Sequence, residues 1–272
     1  MFSLEPSIYR KLSQPLPGSS SVTNSEKLRK LYLQASAQQW FGPGRLDFNQ
    51  PVDLDPQLRQ VWIQFSTVFY TLEKMGLSVL DHMVSKAVQK LKTDDAAFYL
   101  STQCADEARH VFLIENYLKK LGAEPQYQKR YLLLGRLASM GAYQTENWMF
   151  STLFSESFAS AFLRQTRDSE MDDFGKTMCR HILGDEARHL HFLYIVLPDV
   201  IENMSLLGKA YVKTSQYFIM NLTARLSADL AKDGKLVGIK REDLLEETFD
   251  NVRKAYEGFG LGSQFLKFPS IH

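Results

Sequence analysis

The word Asp106-Glu107-Ala108-Arg109-His110 recurs unchanged as Asp185-Glu186-Ala187-Arg188-His189. Residues three apart share one face of a helix, so each Glu-x-x-His presents a carboxylate and an imidazole toward a common point. The neighbours show where that face points. Around the first word the stripe runs Leu100, Gln103, Glu107, His110, Ile114, Tyr117, Leu121; around the second it runs Met178, Ile182, Glu186, His189, Leu193, Val196. Both advance in steps of three and four, so the acids and imidazoles lie on the apolar seams of two helices. A buried carboxylate without a partner is costly or takes up a proton, and two such pairs at matching positions call for a cation.

Two helices supply half of such a site; a metal pair in a bundle draws one more glutamate from each of two other helices. Upstream of the first word, Glu73 is an isolated acid on the stripe Phe65, Phe69, Glu73, Leu77, Leu80, Val84. Upstream of the second, Glu156 lies on Met149, Leu153, Glu156, Ser160, Leu163. Glu146 is the rival to Glu156, but its helical phase is roughly 80° from that stripe, so it is held in reserve. Four carboxylates and two imidazoles balance two divalent cations to near neutrality, and oxygen and nitrogen donors without thiolate suit iron or manganese. Zinc fits less well, because His-Glu-x-x-His is absent. Metal-bound imidazoles usually donate their second N–H to a carboxylate or carbonyl. Asp106 and Asp185 are the candidates, each reaching the histidine of the opposite helix, with Arg109 and Arg188 closing the network.

The rest of the chain fits a helical frame. Its 272 residues, 44% hydrophobic, suffice for one sizeable core, and 15 Gly and 9 Pro are too few for a loop-dominated fold. A net charge of +1 provides no global field for nucleic acid or an anionic membrane. Cys104 and Cys179 both sit in helical patterns, unlike a disulfide framework, which points to the cytoplasm. The N-terminus lacks a secretory pattern, and no apolar run approaches the roughly 18 residues that suggest a membrane span.

Residues 1–55 read as a lead-in, mobile over the Ser-, Pro- and Gly-rich stretch Ser13–Asn24, with a short helix continuing to Gln39. Asp55-Pro56 then caps a long helix to about residue 92, and Thr93-Asp94-Asp95 starts a second that stops near Gly122. A third pattern covers about 127–166 and a fourth runs to Leu197-Pro198, with further helical stretches at about 199–232 and 241–257. One helical domain over 56–258 and an irregular tail over 259–272 are expected, and no strand-like alternation competes.

Over residues 56–198 the sequence resembles the ferritin-like di-iron carboxylate superfamily. It contains ribonucleotide reductase small subunits, acyl-carrier-protein desaturases, bacterial multicomponent hydroxylases and arylamine N-oxygenases. The resemblance rests on the ordered motif Glu, Glu-x-x-His, Glu, Glu-x-x-His. It implies an all-α, ferritin-like four-helix bundle with additional flanking helices. It further implies that Glu73, Glu107 and His110 bind one metal and Glu156, Glu186 and His189 the other, with Glu107 and Glu186 able to bridge. The implied cofactor is two iron ions or a manganese-iron pair. The implied activity is a dioxygen-activating oxygenase or oxidase, most narrowly a monooxygenase acting on a C–H or N–H bond of a small-molecule substrate. A reductase as electron donor and a homodimer belong to the same expectation.

Three positions depart from particular subgroups. Arylamine N-oxygenases carry a further histidine four residues before the second motif glutamate; here Ile182 stands there, with His181 one step off, which counts against that subgroup. Radical-storing reductase subunits carry tyrosine seven residues after the first motif glutamate, where this chain has Ile114; Tyr117 or Tyr70 would have to serve. Multicomponent hydroxylases place a threonine one turn after the third glutamate, and Ser160 is the matching candidate for assisting dioxygen chemistry. The alternatives are a metal-binding or storage protein, whose short cage-forming bundle the extra segments fit poorly, and a radical-generating subunit.

Overall fold

Asp55 accepts hydrogen bonds from the backbone N–H groups of Gln57 and Leu58, and Pro56 occupies the first helical position, so the longest helix starts where its cap dictates. The computed structural model describes residues 24–40, 45–140, 143–262 and 267–269. Residues 1–23 and 41–44 of the expected lead-in, which include nearly all of the stretch read as mobile, and parts of the tail lie outside these residues. Among the described residues every regular element is helical: α1 (Asn24–Gln38), α2 (Pro56–Leu91), α3 (Asp94–Lys120), α4 (Leu132–Ser139), α5 (Gln144–Thr166), α6 (Asp173–Glu202), α7 (Leu206–Ser227), α8 (Ala231–Leu236) and α9 (Arg241–Gly258). A single 3-10 turn, Ala228–Leu230, precedes α8. No described helix is long and apolar enough to cross a membrane.

Helices α2, α3, α5 and α6 form the bundle. Lys92, in the left-handed region with φ 53°, ends α2, and Thr93 caps α3 immediately, so the two helices pack as an antiparallel hairpin. Asp172 caps α6 in the same manner by accepting from Gly175 N–H. Phe162 of α5 packs against both Phe65 and Phe69 of α2, and Tyr99 of α3 stacks on Phe192 of α6, joining the hairpins. The core divides into two apolar clusters, one containing Leu80, Leu100, Leu153 and Leu193 and the other Phe69, Ile114, Leu163 and Ile182. Each bundle helix passes from one cluster to the other, and the candidate ligands occupy the polar layer between them. Apolar packing on both sides fixes the axial position of that layer.

Two boundaries differ from the expectation. The third pattern is not one helix: α4 ends at Ser139, and α5 begins after Tyr143, which adopts a left-handed φ of 59°. Helical periodicity runs through this region, but Gly135 and Gly141 weaken it, and tertiary contacts decide the outcome. Asn147 holds the displaced α4: its amide nitrogen donates to the carbonyls of Leu137 (3.1 Å) and Ala138 (3.2 Å), and its oxygen accepts from Gln216 of α7 (2.9 Å). The fourth helix continues through Pro198 to Glu202. Proline there removes one hydrogen bond, while Val200 and Ile201 remain buried beyond it.

Asn147→Leu would leave two carbonyls and the Gln216 amide without this partner, at a cost of about 2–3 kcal/mol. Thermal denaturation should show a lower Tm; an unchanged Tm would contradict the role given to this clip.

Candidate metal centre

Glu73 on α2, Glu107 and His110 on α3, Glu156 on α5, and Glu186 and His189 on α6 converge in the layer between the two cores, none more than 7% exposed. Their ligand atoms form two groups, each within 4.8 Å: Glu73, His110 and Glu186 in one, and Glu107, Glu156 and His189 in the other. Relative to the division implied by the resemblance, Glu107 and Glu186 change places. Glu186 explains how one carboxylate can serve both groups: Oε1 is 3.4 Å from His110 Nδ1 and Oε2 is 3.0 Å from His189 Nδ1. His110 Nδ1 also lies 3.1 Å from Glu73 Oε2. His189 Nδ1 lies 3.5 Å from Glu107 Oε1 and 3.6 Å from Glu156 Oε1.

Burial and mutual repulsion govern this cluster. Burial, followed by the charges of Glu73 and Glu156, pushes Glu107 well above the usual carboxylate range. Burial and the neighbouring Glu156 push Glu186 up to about 8. Burial alone would lower both imidazoles, but the surrounding carboxylates outweigh it and raise them. Each carboxylate therefore favours positive charge in its vicinity. Among the described residues no lysine or arginine pairs with any of the four glutamates. Two divalent cations fit this donor set in charge, donor type and geometry.

The nearby arginines are engaged one layer away. Asp185 Oδ2 accepts from Trp40 Nε1 (3.0 Å) and Arg109 Nη2 (2.7 Å) and lies 3.1 Å from His110 Nε2. Asp106 accepts from Gln39 Nε2 (2.9 Å), Arg109 Nη2 (2.5 Å) and Arg188 Nη2 (3.1 Å), and its Oδ2 lies 3.4 Å from His189 Nε2. Arg188 also donates to Asp185 Oδ1 at 2.5 Å. Burial opposes ionisation of Asp106, yet His189 and Arg188 outweigh it and hold the carboxyl down to about 2. Asp185 is held lower still, burial being overcome by His110 and both arginines. Each aspartate thus faces the Nε2 side of one imidazole, leaving Nδ1 directed at the glutamates, an arrangement that fixes ring orientation.

Gln39 and Trp40 were not singled out from sequence. Trp40 meets Asp185 across 145 residues of chain, and no local motif encodes that contact. Its ring also packs on His181, with centroids 4.4 Å apart, and beneath the Arg109 guanidinium at 4.9 Å. Glu146 is placed away from the cluster, paired with Lys90 at 2.6 Å. Ser160 lies one turn beyond Glu156, with its buried hydroxyl lacking a hydrogen-bond partner.

Asp185→Ala removes one member of a buried charge quartet and frees His110. It should cost about 3–5 kcal/mol in chemical denaturation and weaken metal binding by about 10–100-fold in competitive chelation. Wild-type metal affinity in a folded Asp185→Ala protein would overturn the orienting role.

A family model described as p-aminobenzoate N-oxygenase AurF matches residues 58–247. A comparison with curated proteins gives no match. Among solved structures, a Synechococcus protein with aldehyde deformylating oxidase activity is similar with a TM-score of 0.64 and 18% identity, covering 80% of this chain and 95% of its own. A variant of the R2-like ligand-binding oxidase with a Mn/Fe cofactor gives a TM-score of 0.61 at 12% identity, covering 96% and 98% of the two chains. These likenesses establish the ferritin-like fold. The family match corrects the reading of Ile182 as counting against the N-oxygenase group: that side chain is fully buried in the apolar cluster beside Met178 and Leu163, while His181 turns to Trp40. The chain belongs to the AurF p-aminobenzoate N-oxygenase family, and it is a dinuclear-metal oxidoreductase.

Proposed function

We propose that this protein is a monooxygenase for a small organic substrate, inserting one oxygen atom into an N–H or C–H bond. The other oxygen atom leaves as water, with two electrons and two protons supplied through a separate reductase. Six ligands carry the centre in this reading: Glu73, His110 and Glu186 for one metal and Glu107, Glu156 and His189 for the other, with Glu107 and Glu186 shared. Iron ions, or a manganese-iron pair, would supply the binding and reduction of dioxygen.

The observation that carries the proposal is a cavity of about 180 Å³ that reaches the cluster along its Glu73, Glu107 and Glu156 side. Glu73, Glu107 and Glu156 are in its wall, whereas both histidines and Glu186 are not. Its remaining lining is mainly apolar, including Phe69, Leu72, Phe154 and Phe158. Such walls exclude water from the reacting atoms and orient a substrate by shape. On the opposite side, Asp106, Asp185, the two arginines, Gln39 and Trp40 close the centre with hydrogen bonds. Gly76 leaves room at the junction: a Cβ there would stand 3.5 Å from Glu107 Oε2, and a longer side chain would extend into the space beside it.

A cytoplasmic location and a homodimer complete the proposal. The location is supported by the two free thiols, Cys104 and Cys179. Light scattering that gives a monomer mass would overturn the dimer.

Gly76→Leu should retain its metals but lower kcat/KM at least about tenfold with any substrate accepted by the wild type, since it fills the approach to Glu107. The central test is anaerobic reduction of the metal-loaded protein, addition of oxygen, and mass analysis of aromatic amines and hydrocarbons incubated with it under 18O2. Incorporation of one labelled atom supports monooxygenation; oxygen consumption that releases only peroxide or water from every substrate class contradicts it.

A further inference from the structure

Two of the helices that wall the cavity carry charge of one sign. Residues 125–145, which contain α4, and 203–228, which contain α7, hold Lys129, Arg130, Arg136, Lys209, Lys213 and Arg225 but not one aspartate or glutamate. The whole-chain charge of +1 conceals this asymmetry, since it leaves the remainder net acidic. The two helices lie side by side and antiparallel: Tyr131 Oη donates to the Leu226 carbonyl at 3.2 Å and Tyr211 Oη to the Met140 carbonyl at 2.9 Å. Their cations therefore share one region of the surface. Lys129, Lys213 and Arg225 are exposed, and among the described residues neither they nor Lys209 forms an ion pair.

Apolar side chains accompany these cations. Helix α7 buries Val212, Gln216, Ile219 and Thr223 and turns Leu206, Leu207, Ala210, Tyr217 and Phe218 outward within an arc of about 120°. Leu206 is 86% exposed, Leu207 73% and Phe218 61%. Beside them Leu133 and Met140, in and just after α4, are exposed too. Singly exposed apolar residues are ordinary, but a group of them on adjacent helices, among cations and without acids, is the pattern of an interfacial amphipathic surface.

We propose that the α4–α7 face docks on an anionic lipid bilayer. Helix α7 lies in the plane of the interface, with Leu206, Leu207 and Phe218 entering the headgroup boundary and the lysines meeting lipid phosphates and carboxylates. Charge selects this occupant over a second copy of the chain, because a two-fold contact through the face would set cations against cations. Shape selects it over a folded protein partner: the most exposed residues are a leucine pair at the start of a helix, and their insertion into lipid needs no complementary pocket. The inner faces of the same helices line the cavity, through Leu134 and Ala138 on α4 and Ile219 and Thr223 on α7. Docking thus holds the cavity about one helix diameter, roughly 10 Å, from compounds dissolved in the bilayer. It needs no metal and stands or falls apart from the oxygenase reading.

The test is co-sedimentation of the full chain with vesicles of phosphatidylcholine alone or with about 30% phosphatidylserine added. Binding should be at least about tenfold stronger to the anionic vesicles and should fall steeply at about 0.5 M salt. Leu206→Glu/Leu207→Glu should weaken it at least about tenfold, and Lys209→Glu/Lys213→Glu should remove the preference for phosphatidylserine, both with unchanged Tm. Leu33→Glu, at an exposed leucine of α1, is the control and should bind as the wild type does. Equal binding to both vesicle types, binding to neither, or anionic binding that survives both double variants overturns the docking. A loss as large with Leu33→Glu overturns the assignment to this face. Light scattering on the same samples reads the other occupant: a dimer that the leucine variant splits, in protein that ignores vesicles, makes the face a contact between copies and refutes the lipid.

Discussion

Four carboxylates enclosed by an apolar bundle repel one another, and most of the architecture can be understood as a response to that repulsion. Burial removes the water that would screen them, so their charge has to be met by protons or cations held within the layer. The apolar clusters on either side cannot supply it, and the two nearby arginines are committed to Asp106 and Asp185. That commitment separates two functions. The arginine-aspartate quartet is neutral in itself and orients the imidazoles, while the glutamate layer is left without a basic partner among the described residues, so that protons or metal ions have to meet its charge.

The two sides of the centre are consequently unlike. One is closed by hydrogen bonds that run from α1 through Gln39 and Trp40 to the aspartates. The other is bounded by apolar side chains and opens into the cavity. A rigid, polar back and a dry, apolar front are what an oxidant-generating centre requires: fixed ligands on one side, and on the other a space in which a substrate displaces water. The division also explains why α4 matters despite its eight residues. By leaving the line of α5, it places Tyr131, Leu134 and Gly135 across the cavity wall.

Much of this was legible in sequence because the ligands obey local rules. Glu107, His110, Glu186 and His189 are spaced by the helical repeat, and Glu73 and Glu156 stand out as acids on otherwise apolar stripes. The Asp55-Pro56 and Thr93 caps fixed two helix starts through interactions over two or three residues. What stayed hidden depends on contacts between distant segments. The partners of Gln39 and Trp40 lie 67 and 145 residues away. The break before α5 requires Tyr143 in a left-handed conformation, which periodicity does not reveal. The place of Glu186 between both groups depends on how two hairpins meet, and Ile182 misled because one position weighed against a subgroup says less than the pattern of the whole chain.

The central claim is that the glutamate layer holds a pair of metal ions. Anomalous X-ray scattering at the iron and manganese edges, from crystals of protein loaded with either metal, addresses it directly. The account predicts two peaks: one bounded by Glu73, His110 and Glu186 and the other by Glu107, Glu156 and His189, with Glu186 reaching both. A single peak, or metal found only outside this layer while the glutamates stay unligated, would contradict it.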